Sequence, residues 1–180
     1  GLRRKSKIKE DIERFSIIRT VTAAERADIV VLMIDATEGV TEQDAKIAGI
    51  AHERGKGLII AVNKWDAVED KETGTMKEMT EKIKSTLSFC PYAEVIFISV
   101  LTGRGIDKVF NLIDIVNENQ NMRIQTGTLN EILTRALAMQ ETPQDKGKHL
   151  RIYYMTQVSV KPPTFVIFVN DKNLTHFSYT

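Results

Sequence analysis

Apolar residues along the first two thirds of the chain fall into two alternating patterns. Three continuous apolar runs, at 28–35, 57–62 and 94–98, are rich in Val, Ile and Leu. Runs of this length and composition predict strands buried on both faces, as in a parallel sheet. Strands that alternate with helices predict an α/β fold with right-handed crossovers. The predicted helices, which show helical spacing of apolar residues, span about 41–54, 75–87 and 106–117, and in the last of these Val109, Phe110, Ile113 and Val116 are expected to face inward.

The last third of the chain has a different pattern. A predicted helix from Thr128 to about Met139, in which Leu129, Ile132, Leu133 and Leu137 are expected to be buried, is followed by two predicted strands, 150–160 and 165–169. We take the polar stretch 117–121 as a linker. The sequence therefore predicts two domains, 1–118 and 119–180.

Two threonines predict where helices begin. Thr41 precedes acidic residues, which favour the first turn of a helix. Thr128 is followed three residues later by Glu131, the spacing of a capping box. We expect both threonines to be N-caps.

The second predicted strand runs directly into Asn63-Lys64-Trp65-Asp66. Guanine presents two adjacent donors, its ring N1–H and its exocyclic amino group, and the Asp66 carboxylate can accept both in charge-assisted bonds. Adenine would turn a ring acceptor toward this carboxylate, so Asp66 would also reject the wrong base. We expect Lys64 to lay its alkyl stem over the base and Asn63 to tie the loop to a phosphate loop. A simple turn after a strand explains the same four residues without any ligand.

The position of this motif supports the nucleotide interpretation. Ligands of open α/β sheets bind beyond the carboxyl ends of the strands. Asn63 and Ser99 each follow one of two predicted strands that we expect to be neighbours. We therefore expect them to lie at the same edge of the sheet.

The chain resembles a translation-factor-related GTPase and, more closely, the second G domain of the double-GTPase family called Der or EngA. The basic start of the chain resembles that family's switch II, with Gly1 as the last glycine of its Asp-Thr-Ala-Gly motif. Residues from Thr128 onward resemble the opening of the family's C-terminal KH-like domain. The segments that carry the resemblance in the G domain are Asp28 to Asp35, Ala36 to Gly39, Thr41 to Asp44, and Val62 to Asp66.

The resemblance implies a partial P-loop-type GTPase domain, with three parallel strands and helices, followed by a partial KH-like α+β domain. It implies binding of GTP or GDP, with Mg²⁺ in the intact protein, and GTP hydrolysis. It also implies association with the large ribosomal subunit and its rRNA during subunit assembly. Ser99-Val100-Leu101 would be the last guanine loop, where a backbone N–H reaches the base oxygen O6. The family has Ser-Ala here, so the larger Val100 keeps the donor but crowds the base. The implied nucleotide-binding residues are Asn63, Lys64, Asp66, Ser99, Val100 and Gly1.

The sequence contains no Gly-x-x-x-x-Gly-Lys-Ser/Thr motif. It therefore has no recognisable nest of backbone N–H groups for phosphates, no phosphate lysine and no hydroxyl for magnesium. We expect the chain to be a fragment that carries guanine recognition and hydrolyses nothing alone. The sequence identifies no catalytic residue and no metal ligands.

Charge is distributed unevenly along the chain. Residues 1–118 carry 18 Lys and Arg against 20 Asp and Glu, a net charge of −2, and residues 119–180 carry 7 against 4, or +3. Phosphate contacts and a solvated face explain this excess equally well, and no Gly-x-x-Gly loop is present. The basic residues concerned are Lys146, Lys148, Arg151 and Lys161.

An alternative function remains open, that of a nucleotide-independent RNA- or protein-binding adaptor on a G-domain scaffold. The single cysteine, Cys90, excludes an internal disulfide, and no apolar run approaches the length of a membrane span. We expect a cytoplasmic protein with neither a membrane nor DNA as its partner.

Overall fold

A three-stranded parallel sheet organises the first part of the chain. Its strands are β1 (Ile29–Asp35), β2 (Gly57–Asn63) and β3 (Glu94–Phe97), in the order β1-β2-β3. The middle strand is buried from residue 57 to residue 62, as its continuous apolar run predicts. The parallel register places the ends of β1 and β2 side by side, with Asp35 opposite Asn63. The predicted α/β fold with three parallel strands is confirmed.

The computed structural model describes residues 18–69, 71–140, 142, 144–145 and 147–175. Gly1 with the basic start, and Lys146, lie outside the described residues. The chain divides into two compact units, Gly1–Asn119 and Gln120–Thr180.

Four helices belong to the sheet-containing unit in its described part. The chain is helical through residues 18–26, which we call α1. Thr41 is the N-cap of the second helix, as predicted, because its side chain accepts a hydrogen bond from the Asp44 N–H and its own N–H donates to the Asp44 carboxylate. The remaining helices are α2 (Glu42–Glu53), α3 (Thr75–Thr86) and α4 (Ile106–Asn121).

The core of this unit lies between the sheet and its helices. Alternate residues of β1, Leu32 and Ile34, belong to one buried cluster with apolar side chains of β2 and of the helices α2 and α3. Trp65, which follows β2, joins the same cluster. The core therefore extends to the carboxyl end of β2 and supports the loop that begins there.

Helix α4 differs from the prediction in two respects. It continues to Asn121 and so includes the polar stretch 117–121 that we took as a linker. These residues form the last turn of the helix, and all of them except Gln120 are exposed. Phe110, expected to face inward, is 64% exposed because the half-buried stripe runs through Val109 and Ile113 instead. None of the helices in the described ranges, α4 included, combines the length and apolar character that crossing a bilayer requires.

The second unit pairs a helix with antiparallel strands. Asn130 of the helix ties it to the longest strand, since its amide oxygen accepts from the Met155 N–H at 2.9 Å and its amide nitrogen donates to the Met155 carbonyl at 3.0 Å. Helix plus antiparallel strands is the predicted KH-like α+β arrangement. The elements are α5 (Thr126–Met139), β4 (Gln144–Asp145), β5 (Lys148–His149), β6 (Ile152–Ser159) and β7 (Thr164–Val169), with β4 paired to β5 and β6 paired to β7.

The start of α5 corrects a second expectation. The helix begins at Thr126, so Thr128 lies inside its first turn and is not the cap. Gln125 is the N-cap, and its side chain makes no capping hydrogen bond. Leu129 is buried as predicted, whereas Ile132 is 53% exposed.

Candidate functional site

Two loops meet at the carboxyl ends of β2 and β3. The Trp65 N–H donates to the Ile98 carbonyl at 3.1 Å. The Val100 N–H donates to the side-chain oxygen of Asn63 at 3.0 Å. These two hydrogen bonds hold the loop after β2 against the loop after β3.

The loop after β2 is anchored by a tryptophan. Trp65 is buried and packs edge-on against Phe97, with ring centroids 4.7 Å apart. Residues Trp65–Ala67 form a single 3-10 turn, closed by a hydrogen bond of 2.9 Å from the Ala67 N–H to the Lys64 carbonyl. The residues on either side of the anchor, Lys64 and Asp66, are exposed. The buried ring thus fixes a turn that presents two opposite charges to solvent.

The Asp66 carboxylate is available for a ligand. Its side chain is exposed, and within the described part of the chain no group donates a hydrogen bond to its carboxylate. Only its backbone carbonyl is engaged there, by the Lys71 ammonium at 3.4 Å, which also lies 5.6 Å from the centroid of the Trp65 ring. Both carboxylate oxygens can therefore accept from paired donors of the kind guanine offers.

An ion pair links this loop to the end of β1. The Lys64 ammonium lies 2.5 Å from the Asp35 carboxylate. The hydrogen bond from Lys64, with further bonds from Thr37, lowers the pKa of Asp35 to about 2, and the same pairing raises the pKa of Lys64. Sequence reasoning missed Asp35 as part of the site. An acidic residue ending a strand beside β2 was the only available signal.

The loop after β3 is compact and internally bonded. Ser99 is almost completely buried, its N–H donates to the Arg104 carbonyl at 3.0 Å, and its hydroxyl accepts from the Thr102 N–H at 3.1 Å. Gly105 closes the loop with φ +79°, and a Cβ at this position would lie 2.9 Å from the Phe97 carbonyl oxygen. Only glycine fits both the conformation and the space.

The structure brings five of the six predicted site residues together at the carboxyl ends of β2 and β3. These are Asn63, Lys64, Asp66, Ser99 and Val100. The sixth, Gly1, lies outside the described residues.

Asn63 contacts the segments on both sides of it. Its side-chain oxygen accepts from the Val100 N–H at 3.0 Å, and its amide nitrogen faces the Met33 sulfur at 3.6 Å. The expected tie to a phosphate loop stays a prediction. The predicted donor to O6, the Val100 N–H, is thus already engaged. Asn63 therefore braces the second loop.

The described residues fit one part of a nucleotide. The exposed Asp66 carboxylate suits the hydrogen-bonding edge of a purine base, and the stem of the nearby Lys64 suits its ring face. Among the described residues, no group of three or more His, Cys, Asp or Glu side chains is arranged to hold a metal ion. The arrangement therefore offers acceptor oxygens and a covering side chain of the kind that a purine base requires.

The chain belongs to the family described as the elongation factor Tu GTP binding domain, whose family model matches residues 14–120. A second family model, described as the KH-domain-like region of EngA bacterial GTPase enzymes, C-terminal, matches residues 123–180. The class of protein is thus a GTP-binding domain joined to a KH-like region.

Particular relatives carry the name GTPase Der. The chain is 72% identical over 180 residues to the one from Agathobacter rectalis and 71% identical over 180 residues to the one from Lachnospira eligens. All of this chain is covered in both cases, and it spans 41% of the length of each relative. The predicted match to a Der-family protein, from its second G domain into its KH-like region, is confirmed.

A solved structure supports the fold. Translation elongation factor SelB from Methanococcus maripaludis, in its apo form, superposes with a TM-score of 0.50 at 28% identity. The match covers 59% of this chain and 24% of that one.

Proposed function

We propose that this chain supplies the guanine-recognition part of a protein that binds and hydrolyses GTP. The observation that carries the proposal is the exposed Asp66 carboxylate, held by the buried Trp65 at the carboxyl end of the sheet and beside the loop after β3. The match to the elongation factor Tu GTP binding domain and the relatives named GTPase Der support the same assignment.

Each residue has a distinct task in this proposal. Asp66 accepts from the guanine N1–H and exocyclic amino group, and the Lys64 stem covers the base plane. Asn63 engages the Val100 N–H and so holds the loop of Ser99 and Val100 beside the base site, where another backbone N–H of that loop would reach O6. GDP and GTP are the proposed ligands. Mg²⁺ neutralises phosphate charge in such enzymes, and we assign it no ligand among the described residues.

The size of the expected discrimination follows from the bidentate contact. A site built to pair with specific polar groups leaves a buried or desolvated carboxylate unsatisfied when the wrong base enters. The resulting penalty is a few kcal/mol, on the order of a hundredfold in affinity.

The experiment is to exchange the base preference. In the intact protein, Asp66→Asn should weaken GDP binding at this site by about a hundredfold and create binding of xanthosine diphosphate, whose ring carbonyl accepts from the new amide. Glu69→Gln, which removes an exposed carboxylate from the same loop, is the matched control and should change neither affinity. An Asp66 variant that gains no binding of xanthosine diphosphate would refute the proposed role and favour the nucleotide-independent adaptor.

We also propose the large ribosomal subunit and its rRNA as partners, with the second domain, 119–180, contributing phosphate contacts. This proposal rests on the family resemblance and on the positive charge of that domain. Lys148, Arg151 and Lys161 are exposed. A cytoplasmic location accompanies such a partner.

Salt dependence tests the RNA contact. If Lys148 and Arg151 neutralise phosphates, the double variant Lys148→Gln/Arg151→Gln should reduce the slope of log affinity against log salt concentration by about 1.5 to 2 for purified large subunits. Lys46→Gln/Lys77→Gln, two exposed lysines of the first unit, is the control and should leave that slope unchanged. An unchanged slope in the first variant would mean that the domain docks without these phosphate contacts.

A further inference from the structure

Asp35, the last residue of β1, is held in one orientation. One carboxylate oxygen accepts from the Thr37 N–H at 2.9 Å and from its hydroxyl at 2.7 Å. The other faces the Lys64 ammonium. The parallel register of β1 and β2, which sets Asp35 opposite Asn63, brings the lysine within reach.

Lys64 has an unusual backbone conformation. Its φ of 60° is the only positive value among the described residues other than glycine. Lysine adopts this left-handed conformation rarely, and it lacks the short polar side chain with which Asn or Asp stabilises it locally. The conformation sets the direction of the following turn, which carries Asp66.

We propose that Asp35 is a positioning residue for the base site. By holding the Lys64 ammonium, Asp35 fixes the lysine stem across the carboxyl ends of β1 and β2. It also supports the left-handed backbone of Lys64, which immediately precedes the turn that carries Asp66. This inference rests on the proposed function.

The exposure of the two side chains is consistent with such a role. Asp35 is 19% exposed and Lys64 60% exposed, so the anchor is sheltered while the stem remains open to a ligand. Without the anchor the lysine gains rotamer freedom, which binding must then remove. The predicted consequence is weaker nucleotide binding with an unchanged preference between bases.

The test uses the intact protein in an Asp66→Asn background, where xanthosine diphosphate reports on this site alone even if the protein has another guanine site. Adding Asp35→Asn should raise the dissociation constant for xanthosine diphosphate roughly three- to tenfold. Glu42→Gln, which breaks the exposed Glu42–Lys46 pair of 3.8 Å, is the matched control and should leave it unchanged.

A double-mutant comparison separates positioning from general stability. Lys64→Met keeps the stem but removes the ammonium, so adding Asp35→Asn to it should have no further effect on affinity. High KCl should shrink the effect of Asp35→Asn alone, since the lysine is exposed.

Three results would overturn the inference while leaving the proposed function intact. They are an affinity unaffected by Asp35→Asn, an equal loss in the Lys64→Met background, and a loss that persists undiminished at high salt. Failure of the Asp66→Asn protein to bind xanthosine diphosphate at all would instead overturn the proposed function itself.

Discussion

Asn63 accepts a hydrogen bond of 3.0 Å from the backbone N–H of Val100, across the gap between the loops that follow β2 and β3. The two residues are 37 positions apart in the chain, and the parallel sheet brings them together. A single amide side chain therefore joins the carboxylate-bearing loop to the loop proposed to face O6. Losing that bond should affect ligand residence more than folding, since both loops remain attached to their strands.

Asn63→Ala should speed dissociation of GDP from the intact protein by roughly 5- to 30-fold, since a lost side-chain hydrogen bond costs about 1–2 kcal/mol. Stopped-flow displacement of a fluorescent GDP analogue measures the rate. Asn63→Asp keeps an acceptor oxygen and should retain more of the wild-type residence time. Equal rates for Asn63→Ala and wild type would show that the bond has no part in nucleotide binding.

Gly105→Ala should lower the free energy of unfolding by about 2–4 kcal/mol, because the new Cβ combines a left-handed φ with a contact of 2.9 Å to the Phe97 carbonyl oxygen. Gly103→Ala is the matched control, since its φ is +76° but nothing lies within 4 Å of the added atom. The control should cost only about 1 kcal/mol. Urea denaturation of both variants gives the difference, and equal losses would contradict the steric argument.

The Asp35–Lys64 pair predicts a pH dependence of stability. Because the pKa of Asp35 falls from 3.8 to about 2 on folding, its contribution is fully present above pH 3.8 and is lost as the pH falls through 2. The raised pKa of Lys64 gives a contribution that is present below pH 10.5 and lost at higher pH. Asp35→Asn should flatten both flanks of a stability–pH curve from urea unfolding. Identical curves for the variant and wild type would contradict the pairing.

Gln157 should stabilise the second unit. It is 4% exposed, accepts from the Ile124 N–H at 2.7 Å, and donates to the carbonyls of Met122 and Ser159, both at 3.1 Å. Gln157→Leu leaves these backbone groups without partners and should cost about 2–3 kcal/mol. Hydrogen exchange at the Ile124 amide should accelerate in this variant. Gln140→Leu, at an exposed side chain, should change neither measurement.

Local patterns predicted the strands well and helix starts less well. The run 57–62 was assigned correctly as a buried strand, because a short continuous apolar stretch is typical of a parallel strand that is covered on both faces. Thr41 and Thr128 carried similar capping signals, yet only Thr41 caps a helix. The helix begins two residues earlier, at Thr126, although Gly127 is a poor helix former, so the capping signal did not locate its start.

The sequence predicted the motif of the candidate site, but it did not predict the contacts that hold that motif in place. Asp66 and Asn63 stand in a recognisable order after a strand. The partnership of Lys64 with Asp35 depends on sheet register, and the left-handed backbone of Lys64 depends on the loop closing around a buried Trp65. Neither the register between strands nor a strained backbone conformation produces a periodic pattern in a single sequence.

The most direct measurement is a structure of the intact protein bound to GDP. Both Asp66 carboxylate oxygens should lie about 2.7–3.0 Å from the guanine N1 and exocyclic nitrogen, with the Lys64 stem against the ring face. A GDP-bound protein with no base beside Asp66, or with the Asp66 carboxylate facing solvent next to a bound guanine, would contradict this arrangement.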